Sequence, residues 1–153
     1  MKIIVQRAKN AKVVVAGKTV GKIEHGLLLL VGITHTDQAS DLQYCAKKVA
    51  NLRIFSDDAG KMNLSVKDVG GGILSISQFT LYGDASHGNR PSYTEAARPE
   101  VAEPLYDEFN EILRTAYGIE VATGAFGADM AVCFTNDGPV TLVIETAGSG
   151  CKN

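Results

Sequence analysis

A chain of 153 residues, 45% hydrophobic and 21% charged, has the length and balance of one globular domain around a single core. Its net charge of −2 excludes the strongly basic character of a broad, non-specific nucleic-acid binder but leaves room for a local basic patch that meets one end of an RNA. No apolar run nears the roughly 20 residues that a membrane helix needs, and the opening Met1-Lys2-Ile3-Ile4-Val5-Gln6-Arg7 is charged too early for a signal peptide, so the cytoplasm is the expected compartment.

Residues 1–33 read as strands. Lys2 to Arg7 alternates loosely, Lys12 to Ala16 and Thr19 to Ile23 flank a Gly17-Lys18 hairpin turn, and Gly26 to Ile33 is nearly all apolar, which asks for cover on both faces. Thr36-Asp37-Gln38 opens a helix whose Leu42, Cys45, Ala46, Val49 and Leu52 recur at spacings of three and four. Residues 54–72 are irregular, and Gly70-Gly71-Gly72 is a tight turn without the spacing or following helix of a phosphate loop. The apolar run from Ile73 continues into Ser77-Gln78-Phe79-Thr80-Leu81, then a polar loop from Gly83 to Ser92. A second helix starts at Pro99, kinks at Pro104 and ends at Gly118, with Val101, Leu105, Phe109, Ile112, Leu113 and Ala116 as its apolar face. Two late strands, Met130 to Thr135 and Val140 to Glu145, flank the turn-forming Asn136-Asp137-Gly138-Pro139. Residues 1–146 form the expected domain and 147–153 a flexible tail.

Cys45, Cys133 and Cys151 are odd in number and widely spaced, which argues against a disulfide framework, and the isolated His25, His35 and His87 leave a metal site unsupported. Chemistry therefore centres on residues 77–81. If the extended run continues to Leu81, Leu74, Ile76, Gln78 and Thr80 share one face, while Ile73, Ser75, Ser77, Phe79 and Leu81 share the other. A strand that turns polar at its end suits a reactive site on a rigid scaffold; an ordinary half-buried strand with Ser and Thr present for β-propensity fits the same pattern.

Ser77-Gln78-Phe79-Thr80-Leu81 together with Asn136-Asp137-Gly138-Pro139-Val140-Thr141 is similar to the two signature motifs of D-aminoacyl-tRNA deacylases. Val5-Gln6-Arg7-Ala8, Arg53-Ile54-Phe55-Ser56-Asp57, Gly60-Lys61-Met62-Asn63, Arg90-Pro91-Ser92 and Leu105-Tyr106-Asp107-Glu108-Phe109 extend the resemblance to about Ile144. The resemblance implies an α/β fold, mostly antiparallel strands curving into a barrel-like core with two main outer helices. It also implies a homodimer with its active sites at the subunit interface, and hydrolysis of the ester joining a D-amino acid, or glycine, to the 3′-terminal adenosine of tRNA, with no metal or organic cofactor. By the same resemblance Gln78, Phe79 and Thr80 are catalytic, and Ser77, Arg7, Gly138 and Pro139 bind substrate.

An aminoacyl ester is already activated, so modest stabilisation of its tetrahedral intermediate suffices. Backbone N–H groups near Phe79 and Thr80 suit an oxyanion hole, with the Gln78 amide nearby. Thr80 is the obvious side-chain nucleophile, but no histidine has a place beside it as base. Attack by water, or help from the tRNA ribose hydroxyl with Thr80 positioning, is preferred. The resemblance further implies a cis Gly138-Pro139 bond whose carbonyls hold the substrate ammonium group and whose approach excludes an L side chain, with Arg7 holding the turn. The competing readings are a non-catalytic dimer that binds an RNA end or nucleotide, a hydrolase of small D-amino-acid esters or peptides, and a purely structural dimer.

Overall fold

A computed structural model of the chain describes residues 1–146; the tail expected over residues 147–153 lies outside them. The N-terminal fifth is one long hairpin. β1 (Lys2–Val15) and β2 (Lys18–Gly32) pair antiparallel from Lys2↔Gly32 to Val15↔Lys18. The segments expected as separate strands are thus continuous. Asn10, at φ 50°, lets β1 bend there without ending. The turn is centred on Ala16 and Gly17, at φ 48° and 78°, one residue earlier than expected, as a two-residue turn with positive φ at both positions requires.

The sheet order is β6-β5-β2-β1-β7, where β5 is Gly72–Ser77, β6 is Val121–Thr123 and β7 is Ala131–Glu145. A small separate ribbon pairs β3 (Phe55–Ser56) with β4 (Met62–Leu64). β5 runs parallel to β2 and to β6, whereas β1 is antiparallel to both neighbours. The parallel steps need crossover connections, and these carry helix α1 (Ala39–Asn51) and helix α2 (Pro99–Thr115).

Alternation along the strands sends Ile3, Val5, Leu27, Leu29, Val31 and Ile73 toward the helices, where Leu42, Val49, Phe109 and Leu113 complete the main core. The other face buries a smaller cluster of Ala8, Ala11, Val13, Ile23, Leu28, Leu74 and Ile76. Among the described residues no helix packs against that cluster. Instead Met130, Val132 and Phe134 pack against it, and a Cβ on Gly124 would overlap Met130 Sδ while coming within 3.3 Å of Ile76 Cδ1. The chain entering β7 therefore folds back over β5 and the segment after β6, in an open five-stranded mixed sheet.

Helix α1 starts at Ala39, where Asp41 Oδ2 accepts the Gln38 N–H at 2.9 Å, and Leu42, Cys45, Ala46 and Val49 are buried as their spacing requires. Helix α2 runs on through Pro104. Its buried stripe is Ala102, Tyr106, Phe109 and Leu113, so Val101, one step off the stripe, is 46% exposed rather than on the apolar face. Tyr106 is the buried polar link between α2 and β5. Its hydroxyl donates to Ser75 O at 2.8 Å, and burial holds its pKa above the ordinary value, so it stays a donor. Tyr106→Phe is expected to lower unfolding stability by about 1 kcal/mol in a urea titration, since Ser75 O keeps the Gly124 N–H at 3.2 Å. A loss above about 3 kcal/mol would mean that ring packing had been disturbed as well.

Two further expectations are corrected. β5 ends at Ser77, and Phe79–Tyr82 forms a 3-10 turn, so the face alternation does not reach Thr80. The late segment is not a hairpin: β7 runs along β1 on both sides of residues 137–140, with Gln6↔Thr141 and Ala8↔Asn136 as the flanking pairs. Asp137 to Val140 thus stand opposite Arg7 alone, forming an extended bulge on an edge strand.

Candidate active site

At the end of β5, Gln78 N still donates to Val31 O at 2.7 Å, the last ladder-like bond before the chain turns. Leu81 N then reaches back to Gln78 O and Gly83 N to Thr80 O, at 3.3 and 2.9 Å. Phe79 and Thr80 open this turn, and the first N–H groups of a helical turn have no partner inside it. The Gln78 amide nitrogen contacts Thr80 Oγ1, which orients the hydroxyl. The Phe79 ring is 56% exposed and meets Tyr93 edge-to-face, centroids 5.2 Å apart.

Ser77, Gln78 and Phe79 line a cavity of about 520 Å³, within the roughly 300–1,000 Å³ of small-molecule sites. Its far walls are Tyr93 and Ala97 before α2, Tyr106 on α2, and Phe126, Met130 and Val132 around the start of β7. Asp129 is its one carboxylate, no histidine lines it, and among the described residues no cluster of His, Cys, Asp and Glu is arranged to hold a metal ion. Such a pocket can grip a flat apolar group and stabilise charge through backbone donors; it offers no paired nucleophile and base.

The second group of expected site residues sits apart. Arg7, Gly138 and Pro139 do not line the cavity. Their strands, β1 and β7, lie beyond β2 from β5, so the bulge is up to three strand spacings away along the sheet, roughly 14 Å if it were flat. Within the bulge the Gly138–Pro139 peptide is cis and Gly138 has φ 131°. Arg7, its side chain 14% exposed, donates from Nε to Asp137 O at 3.0 Å and from Nη1 to Ile54 O at 2.8 Å. Its Nε also lies 3.3 Å from Asp137 Oδ2, while Lys9 Nζ sits 3.1 Å from Oδ1. Asn136 closes the bulge: its Oδ1 accepts the Val140 N–H at 3.1 Å and its Nδ2 donates to Thr141 Oγ1 at 3.0 Å. Gly138 and Pro139 are exposed, held at the base and open at the tip.

Sequence reasoning missed Tyr93, Met130 and Val132 as cavity walls, because they converge from segments with no local signature. Asp137 and Asn136 were read only as turn formers. An Asn followed four residues later by a strand residue, with an Arg on the neighbouring strand, was the available signal.

Residues 4–145 match the family described as D-Tyr-tRNA(Tyr) deacylase. The chain is 60% identical to the D-aminoacyl-tRNA deacylase of Chloroherpeton thalassium over 95% of this chain and 96% of that one. It is 61% identical to that of Halalkalibacterium halodurans over 95% and 99%. Among solved structures, the c-Myc DNA Unwinding Element Binding Protein superposes at TM-score 0.90 with 40% identity, covering 95% of this chain and 99% of that one. A structure described as a probable eukaryotic D-amino acid tRNA deacylase superposes at TM-score 0.79 with 18% identity over 94% and 97%, a likeness of fold alone. With both motifs in place and the match running over nearly its whole length, the chain belongs to the D-Tyr-tRNA(Tyr) deacylase family.

Proposed function

We propose that the chain hydrolyses the ester between a D-amino acid, or glycine, and the terminal adenosine of tRNA, releasing free amino acid and tRNA, as a homodimer working in the cytoplasm. The observation that carries this reading is the open turn at Phe79 and Thr80 on the rim of an adenosine-sized apolar cavity, in a chain of this family. The adenosine enters the cavity beside Ser77 and Gln78. The N–H groups of Phe79 and Thr80 face the ester carbonyl. Water attacks that carbon, the N–H groups hold the oxyanion, and collapse expels the ribose oxygen. The neighbouring ribose hydroxyl carries the proton to the leaving oxygen, because no histidine lines the cavity.

One chain holds half of this site. β7 is an edge strand with Leu142 37% and Val143 61% exposed, and its Gly138–Pro139 bulge is held by Arg7 and free at its tip. In a dimer, the bulge of a second copy reaches the turn at Gln78–Thr80. Its carbonyls accept from the substrate ammonium group, and its backbone leaves room for hydrogen on the α-carbon and for no L side chain. Discrimination is by exclusion, so the D side chain is not read and glycine passes.

The test is deacylation of matched D-tyrosyl- and L-tyrosyl-tRNA by the purified protein with a chelator present. Loss of the D-ester alone is expected; loss of both would remove the bulge from the mechanism. A binding dimer without turnover is the second reading, favoured by a cavity with no histidine and a single carboxylate, Asp129, and it predicts that the D-ester is protected. In the same assay Thr80→Ala is expected to keep kcat within about tenfold of the parent, since its hydroxyl positions rather than attacks. Abolished turnover in a folded variant would make Thr80 the nucleophile.

A further inference from the structure

Tyr93 is 41% exposed, yet its ring is fixed. Phe79 meets it edge-to-face at 72°. Gly83 backs it on another side: a Cβ there would lie 2.8 Å from Tyr93 Cε1. Gly83 has φ −72°, which any residue adopts, so glycine at this position serves close packing, against the ring and against Thr80 O at 3.0 Å from the same Cβ. A rigid, solvent-facing aromatic ring on the cavity wall is a stacking platform for an unpaired base.

Arg90 stands on the same loop, which an antiparallel bridge closes between Asp84 and Ser92, with both N–H···O bonds at 2.8 Å. Arg90 is exposed and has no hydrogen-bond or ion-pair partner among the described residues. The loop's one carboxylate, Asp84, is occupied by the loop itself: its Oδ1 accepts the Ser86 N–H at 2.8 Å, and the Ser86 hydrogen bonds hold its pKa below the usual range. A free guanidinium on the loop that runs into an exposed ring is complementary to a phosphodiester next to a base.

We propose that Tyr93 and Arg90 form a subsite for the nucleotide that precedes the terminal adenosine, the ring stacking on its base and the guanidinium meeting its phosphate. This rests on the deacylase reading above. No base-edge donor or acceptor is required, so the contact orients the RNA end without reading its sequence.

The experiment compares kcat/KM for D-tyrosine esterified to adenosine and to the dinucleotide cytidylyl-adenosine. The parent protein is expected to gain about tenfold from the added nucleotide. Tyr93→Leu and Arg90→Gln should each remove most of that gain, whereas Tyr93→Phe keeps it. Equal rates on both esters in the parent, or a full gain in both variants, overturns the subsite. So does a Tyr93→Leu loss that is the same on both esters, which would make the ring an adenosine contact. If Tyr93→Leu fails to fold, the exposed Arg90→Gln decides. Turnover of neither ester by the parent overturns the deacylase reading itself, a different outcome from equal turnover of both.

Discussion

Gly138→Ala is expected to lose about 100-fold or more in kcat/KM on D-tyrosyl-tRNA, the scale on which a displacement of about 1 Å at a reacting centre acts. The cause is local. Gly138 sits at φ 131°, a conformation that L side chains rarely adopt. Its added Cβ would lie 2.8 Å from Val140 Cγ2, 3.0 Å from Val140 N and 3.2 Å from Arg7 Nη2. Val140 N is the group that Asn136 Oδ1 holds, so relief comes by opening the bulge. The bulge projects from an edge strand, and of its residues only Val140 packs against the main core, so unfolding stability should fall by only about 1–2 kcal/mol. Steady-state kinetics beside a denaturant titration separate the two effects. Full activity in the variant would exclude the bulge from catalysis, and a collapse of stability would show that the bulge supports the fold.

Arg7→Ala is expected to act on both quantities. The guanidinium joins Asp137 on β7 to Ile54 O, in the segment between α1 and β3. Its removal leaves the largely buried Ile54 without that donor, a loss of about 2–3 kcal/mol for a charge-assisted bond. Asp137 keeps Lys9, so the bulge loosens without coming away, and activity on the D-ester should fall about tenfold or more. The ratio of D- to L-tyrosyl-tRNA hydrolysis is the more telling readout. It should narrow, because a mobile bulge excludes less. Arg7→Lys should not restore it, since an ammonium group cannot span both carbonyls as the planar fork does. Reduced stability with an unchanged D/L ratio would leave Arg7 a structural residue only.

Much of the fold was legible because its signals are local. The three-and-four spacing from Leu42 to Val49 placed α1, and Pro99 and Gly118 bracketed α2. What escaped depends on contacts distant in sequence. The pattern through Ile73 to Leu81 reads as one strand until Val31 O takes the Gln78 N–H and no further partner follows on β2. Asn136 to Pro139 has turn chemistry, and it does turn, but β1 pairs with both flanks and makes one strand of two. The two motifs were visible as residues, yet their separation across the sheet was not, because it follows from strand order.

The pairing of β1 with β7 joins Lys2 to Glu145, and this places the bulge late in the order of assembly. The β1–β2 hairpin closes through a two-residue turn, whereas the β1–β7 ladder must wait for nearly all the intervening chain, a pairing of high contact order and slow formation. During synthesis the outer edge of β1 stays bare long after β2 and β5 have left the ribosome. A molecule caught at that stage would carry the Gln78–Thr80 turn without the bulge. It would also lack Val132 of β7 as a wall of the cavity, so on the reading above neither the adenosine site nor the stereochemical filter would yet be complete. On that reading the site matures with the last strand to pair, because β7 carries the bulge and also supplies Val140 and Ile144 to one core and Val132 and Phe134 to the other.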